Sequence, residues 1–131
     1  MESRVLIADD SLSVRKIVRE YLNRRGIAVC GEAEDGQEAI EKAITHKPDL
    51  VVLDLAMPRA NGCVAASALK DMLPDVPIIL FTMYSDAIAK TLGKRKLRVD
   101  AIVPKSDGIT KLADCVQGLL GTGKNPVRSE L

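Results

Sequence analysis

Short apolar runs that each stop abruptly at a polar residue constrain this chain more than any other feature. Val5-Leu6-Ile7-Ala8 stops at Asp9-Asp10, and Leu50-Val51-Val52-Leu53 stops at Asp54. Ile78-Ile79-Leu80-Phe81 stops at Thr82, and Ala101-Ile102-Val103 at Pro104-Lys105. Such continuous runs, unlike alternating ones, read as strands buried on both faces. Ile27 to Glu32 reads as a further strand. Helical stripes separate the strands. Leu12 to Arg25 places Val14, Ile17, Val18, Tyr21 and Leu22 on one face, with Ser11 or Ser13 as N-cap and Gly26 as the stop. Asp35-Gly36-Gln37-Glu38 has the form of a capping box and opens a helix that buries Ala39, Ile40, Ala43 and Ile44 and ends at Lys47-Pro48. A third helix covers Cys63 to Leu73 after the loop Met57 to Gly62, with Met72 and Leu73 expected in the core. A fourth, capped by Ser85 or Asp86, ends near Gly93. A fifth, capped by Asp107, buries Ile109, Leu112, Ala113 and Val116.

Five strands alternating with five helices predict a doubly wound α/β domain, a parallel sheet with helices on both faces. The 131 residues suit one domain, expected over residues 1–121. Residues 122–131 carry Gly, Pro and charge without periodicity and are expected to form a flexible tail or the start of a linker. Lys plus Arg number 19 against 18 Asp plus Glu, so no global field attracts nucleic acid. Cys30, Cys63 and Cys115 are odd in number and widely spaced, which fits a reducing cytoplasm and not a disulfide framework. His46 is the single histidine and no Cys-x-x-Cys occurs, which disfavours structural zinc. The N-terminal apolar run is too short for a signal peptide or membrane span.

In a parallel sheet the carboxyl ends of the strands share one edge, where ligands bind. Asp9, Asp10, Asp54, Thr82 and Lys105 all fall at such ends and are expected to converge. Three carboxylates in one pocket repel one another, so the site calls for positive charge. Lys105 supplies one charge, and a hard divalent cation such as Mg²⁺ suits the oxygen donors. Asp54 can then act as a nucleophile that forms an acyl phosphate, with Thr82 and Lys105 offering a hydroxyl and an ammonium to its oxygens.

At these residues the chain resembles a family. Asp9-Asp10, Asp54-Leu55-Ala56-Met57-Pro58 with Gly62, Thr82, and Pro104-Lys105 are similar to the signature of two-component response-regulator receiver domains. The resemblance implies a flavodoxin-like (CheY-like) fold with sheet order 2-1-3-4-5. It implies that Asp54 accepts a phosphoryl group from a sensor histidine kinase. Asp10, Asp9, Asp54 and the backbone carbonyl of Ala56 would hold Mg²⁺, Lys105 would contact the phosphoryl group, and Thr82 would pass the signal on. It further implies a cytoplasmic protein that modifies only itself, with an output surface over helix 4, strand 5 and helix 5 open to homodimerisation and without direct nucleic-acid contact. Lys105-Ser106, in place of Lys-Pro, leans toward receivers of LuxR/NarL-type transcription regulators. A stand-alone receiver of the chemotaxis or phosphorelay type is the alternative.

The chain also departs from the family pattern. Ile102 stands where a switching aromatic is usual, and a bulky Met83 follows Thr82, with Tyr84 next. Met83 is expected to cover the phosphoryl group. Lys94-Arg95-Lys96 and Arg98 form a basic turn, either solvated or a contact patch. Three competing functions make distinct demands on the sequence. An aspartate-nucleophile phosphatase needs a second acid where Ala56 stands. A flavin or nucleotide carrier needs a Gly-rich loop that is absent after the first strand. A degenerate receiver acting only as a binding module is kept open by Ile102.

Overall fold

The structure, a computed structural model, describes residues 2–84 and 98–124. β1 (Arg4–Ala8), β2 (Ala28–Ala33), β3 (Leu50–Leu53), β4 (Ile78–Thr82) and β5 (Ala101–Pro104) form one sheet in the order β2-β1-β3-β4-β5. Every pairing is parallel. The expected architecture and strand order are therefore those observed. The predicted fourth helix and Lys94-Arg95-Lys96 lie outside the described residues.

Alternate side chains of each strand point to opposite faces, and each face has its own core. Leu6, Val51, Leu53, Ile78 and Leu80 pack against Ala39 and Ala43 of α2 (Gly36–His46) and Ala65, Ala66 and Leu69 of α3 (Gly62–Met72). Val5, Ile7, Leu50, Val52, Ile79 and Phe81 pack on the other face. Their partners are Val18 and Leu22 of α1 (Leu12–Arg24) and Leu112, Ala113 and Val116 of the C-terminal helix (Ile109–Lys124). Both layers must close over β1 and β3, which is why those runs tolerate no polar residue until the edge.

Local chemistry sets the helix ends. The Ser11 hydroxyl accepts from the Val14 N–H at 3.3 Å, so Ser11 rather than Ser13 is the cap of α1. Gly26, at φ +78°, closes α1 while the Ile27 N–H bonds back to the Leu22 carbonyl at 3.0 Å. Asp35 caps α2 through the Glu38 N–H, and the Glu38 carboxylate returns to the Glu34 N–H. Asn61 caps α3, its side-chain oxygen accepting from the Val64 N–H at 3.0 Å.

Some expectations are corrected. Ile17 and Ile44, placed on buried stripes, are exposed, and so is Met72, while Leu73 packs against the core as expected. Asp107 is not the last helix's cap. Lys105–Asp107 form a 3-10 turn, Gly108 reverses the chain at φ +90°, and its carbonyl accepts from the Leu112 N–H. That φ is closed to residues bearing a Cβ, so glycine sets the helix start. Helical backbone then continues to Lys124, three residues past the expected boundary at 121. The Lys105–Ser106 peptide is trans.

Gly62 is a packing requirement. A Cβ there would stand 2.3 Å from the carbonyl oxygen of Asp54 and 2.9 Å from the Leu55 Cα. Gly118, exposed on the C-terminal helix, has no heavy atom within 4 Å of its would-be Cβ. We expect Gly62→Ala to lower unfolding free energy by about 2–4 kcal/mol. Gly118→Ala should raise it by about 0.5–1 kcal/mol. Urea denaturation of the two variants beside the parent protein checks both signs.

Candidate functional site

The carboxyl ends of β1, β3 and β5 deliver the site. β1 ends at Ala8, and the Asp9 N–H bonds to the Ala33 carbonyl of β2 at 2.9 Å. β3 ends at Leu53, and the Asp54 N–H bonds to the Ala8 carbonyl at 2.9 Å. These backbone bonds carry the sheet register one residue past the strands, so Asp9 and Asp54 leave neighbouring strands side by side. One carboxylate oxygen from each of Asp9, Asp10 and Asp54 lies within 4.8 Å of the others. Asp9 and Asp54 are buried, 3% and 6% exposed, whereas Asp10 is open to solvent.

Lys105 reaches this group from beyond β5. Its Nζ lies 2.7 Å from Asp9 Oδ2 and 3.4 Å from Asp54 Oδ2, and 5.9 Å from the centroid of the Phe81 ring. Burial alone would lower the Lys105 pKa, but the hydrogen bond to Asp9 and both carboxylate charges raise it above the ordinary value. Burial also pushes the Asp54 carboxyl up, and the neighbouring Asp9 adds to this. The Lys105 charge and the Leu55 N–H, donating to Oδ1 at 2.8 Å, offset the rise only in part.

Asp9, Asp10, Ser11, Val14, Asp54, Ala56, Met83, Tyr84 and Lys105 line one open cleft. The expected convergence is thus observed for the three acids and Lys105, and Ala56 lines the same cleft. Thr82 differs. It ends β4 fully buried, its hydroxyl accepts from the Tyr84 N–H at 3.1 Å, and it is not among the cleft-lining residues. Met83 lines the cleft but is 76% exposed, so it flanks the site without closing it. Ile102 is half-buried against the core, and Arg98 is tied to Asp71 and Ser67 of α3.

The donor set fits a hard divalent cation: three carboxylates, one of them solvent-open, facing a single ammonium. Asp9 and Asp54 already share Lys105, so Asp10 is the acid with no side-chain partner among the described residues.

Three supporting contacts escaped the sequence reading. The Arg15 guanidinium donates to the Asp9 carbonyl oxygen at 2.6 Å and to the Glu32 carboxylate at 3.1 Å. Arg59, at φ +66° in the loop that bears Ala56, binds Asp35 at 2.7 Å and so ties that loop to the start of α2. A Cβ on Gly36 would stand 1.9 Å from the Ala60 carbonyl oxygen, so that loop also rests directly on α2. One signal was present for Arg15. A cation near a helix N-terminus opposes the helix dipole and so calls for a local acceptor.

The fold and its acidic edge define a doubly wound α/β domain whose ligand site is a carboxylate cluster countered by one lysine. Residues 5–117 match the family model described as the response regulator receiver domain, and the chain belongs to that family. It is 33% identical to the chemotaxis protein CheY of Bacillus subtilis over 102 residues, 78% of each chain. It is 35% identical over 118 residues to a protein-glutamate methylesterase/protein-glutamine glutaminase of Archaeoglobus fulgidus. That match takes in 89% of this chain but only 34% of the relative's length. Among solved structures, a LuxR-family response regulator from Aurantimonas aligns with TM-score 0.81 at 29% identity, covering 92% of this chain and 86% of that one. The response regulator TrrA of Thermotoga maritima, solved in complex with Mg²⁺ and BeF, aligns with TM-score 0.80 at 32% identity, covering 89% and 98%. No described helix is long and apolar enough to cross a membrane.

Because folding raises the Asp54 pKa, the folded protein holds that proton more tightly than the unfolded chain does. Stability then falls as pH rises from the ordinary carboxyl value through the folded one. Without divalent metal, Asp54→Asn should therefore melt about 2–5 °C higher than the parent protein at pH 7. The difference should shrink toward pH 4. Thermal melts in EDTA across that range measure it.

Proposed function

We propose that this receiver domain is a phosphorylation switch in which Asp54 takes a phosphoryl group from a sensor histidine kinase. The observation that carries the reading is the placement of Asp54. Its buried carboxylate faces an open cleft, with Lys105 at 3.4 Å and Asp9 and Asp10 beside it. An Asp54 carboxylate oxygen attacks phosphorus, the phosphorus–nitrogen bond of the donor phosphohistidine breaks, and its electron pair stays on the imidazole. Lys105 gives its ammonium to a phosphoryl oxygen as a point charge. Asp10, Asp9, Asp54 and the Ala56 carbonyl would hold Mg²⁺, whose role is to neutralise charge on the phosphoryl oxygens. The Mg²⁺–BeF complex of the related TrrA supports this choice of metal.

The domain acts on itself and does not turn over substrate. Ala56, two residues after the nucleophile, carries no acid to protonate a leaving group. The Thr82 hydroxyl, now engaged by Tyr84, would turn to the new phosphoryl oxygens and rearrange the end of β4. At Ile102 the relay proceeds by repacking a half-buried aliphatic side chain and not by rotation of an aromatic ring. The output we assign is control of transcription in the cytoplasm, through a partner surface or homodimer around β5 and the C-terminal helix, without nucleic-acid contact by this domain. Lys105-Ser106 and the LuxR-family likeness support that output. The likeness to the chemotaxis protein CheY supports a stand-alone receiver as the second reading.

With Mg²⁺ and acetyl phosphate, intact mass should show one added phosphoryl group on the parent protein and none on Asp54→Asn. No added mass on the parent, even with a stable phosphoryl mimic as ligand, leaves only a phosphorylation-independent binding module. Met83 flanks the cleft without closing it, and we infer that its bulk beside the phosphoryl group still hinders attacking water. Met83→Ala should therefore shorten the half-life of the phosphorylated protein severalfold, followed by loss of label over time.

A further inference from the structure

The Arg15 contacts join two parts of the molecule that the proposed chemistry does not otherwise link. Arg15 sits near the N-terminus of α1, where the helix dipole disfavours a cation and the first turn carries no acid. It is nevertheless largely buried, with 12% of its side chain exposed. One guanidinium nitrogen binds the Asp9 carbonyl oxygen at 2.6 Å, and Nε binds Glu32 Oε1 at 3.1 Å. Glu32 lies on β2, the edge strand, where its other carboxylate oxygen is bound by Arg19 and its backbone carbonyl by Lys42.

The geometry matters because of which peptide it holds. The Asp9 carbonyl belongs to the planar unit that also contains the Asp10 N–H and leads to the Asp10 Cα. On the other side of Asp9, the N–H is fixed to the Ala33 carbonyl at 2.9 Å. The Asp9 Oδ1 accepts from the Ser11 N–H at 2.9 Å and Oδ2 from Lys105 at 2.7 Å. With Arg15 in place, every polar atom of Asp9 is engaged. Asp10, the exposed acid without a side-chain partner among the described residues, hangs from that fixed peptide. We propose that Arg15, braced by Glu32, is a positioning residue that sets the Asp10 carboxylate toward Asp54 for Mg²⁺. This inference rests on the Mg²⁺ reading above.

Charge and geometry predict opposite signs here, which makes the proposal testable. A nearby cation repels Mg²⁺, so deleting Arg15 for its charge alone would tighten binding. Loss of an outer residue that orients a ligand weakens it, by about 10- to 100-fold. Calorimetric titration of the full chain with Mg²⁺ is the experiment, on the parent protein, Arg15→Met, Glu32→Gln and Asp10→Asn. Melting in EDTA shows that each is folded at the titration temperature. We expect the dissociation constant to rise about tenfold in Arg15→Met. Glu32→Gln should move it in the same direction by less, and Asp10→Asn should abolish binding. An unchanged or tighter constant in Arg15→Met overturns the proposal while leaving the metal site standing. If Arg15→Met does not fold, Glu32→Gln decides on the same criterion. A parent protein that binds no Mg²⁺ overturns the metal reading and this inference together.

Discussion

The Lys105 ammonium, set between the Asp9 and Asp54 carboxylates, is the interaction on which the rest of the site depends. Two buried carboxylates on neighbouring strands repel each other, and burial together with the Asp9 charge pushes the Asp54 carboxyl up. One ammonium, 2.7 Å from Asp9 and 3.4 Å from Asp54, places a positive charge against both carboxylates and offsets part of the rise at Asp54. The lysine must span the end of β4 to do so, and its position near the Phe81 ring shows the path it takes. The sheet order is therefore part of the chemistry. Only with β3 and β4 interposed between β1 and β5 does a residue just past β5 look across the edge at both acids.

That pairing is deliberately incomplete. One ammonium faces three carboxylates, and the surplus sits at Asp10, on the solvent side of the cluster. An excess of anionic oxygen at an open edge suits a hydrated dication, whereas a fully compensated cluster would only brace the fold. The supporting contacts respect this division. Arg15 spends its charge on Glu32 and a carbonyl, and Arg59 spends its charge on Asp35. Both cations organise the surroundings without cancelling the surplus.

The strands and their ends were legible in the sequence because burial on both faces demands continuous apolar runs, and a polar residue stops such a run visibly. The same logic found Asp9, Asp54 and Lys105, each the first charged residue beyond a strand. Helix faces were less legible. Ile17 and Ile44 fit a 3.6-residue period yet face solvent, because periodicity marks a stripe and not its width. Asp107 looked like a cap, but the cap position belongs to Gly108, whose positive φ no sequence pattern reveals. Thr82 was found at its strand end, but its engagement with the Tyr84 N–H depends on the path of the turn. Arg15 and Arg59 were missed because their partners lie 17 and 24 residues away, and surface-looking arginines give no sign of which distant acid they meet.

Gly36 and Gly62 bound the loop after Asp54, each pressed against backbone atoms that a β-carbon would strike. Close contact between main chains, beside the Asp35–Arg59 bridge, sets where this loop runs, whatever side chain stands at Ala56. Its path and its chemistry are thus separate degrees of freedom. A substitution at Ala56 changes what the loop presents to the cleft while the frame stays put, whereas one at either glycine moves the frame. Sequence change can therefore travel far through the cleft-facing side chains of this loop and hardly at all through the two glycines that seat it.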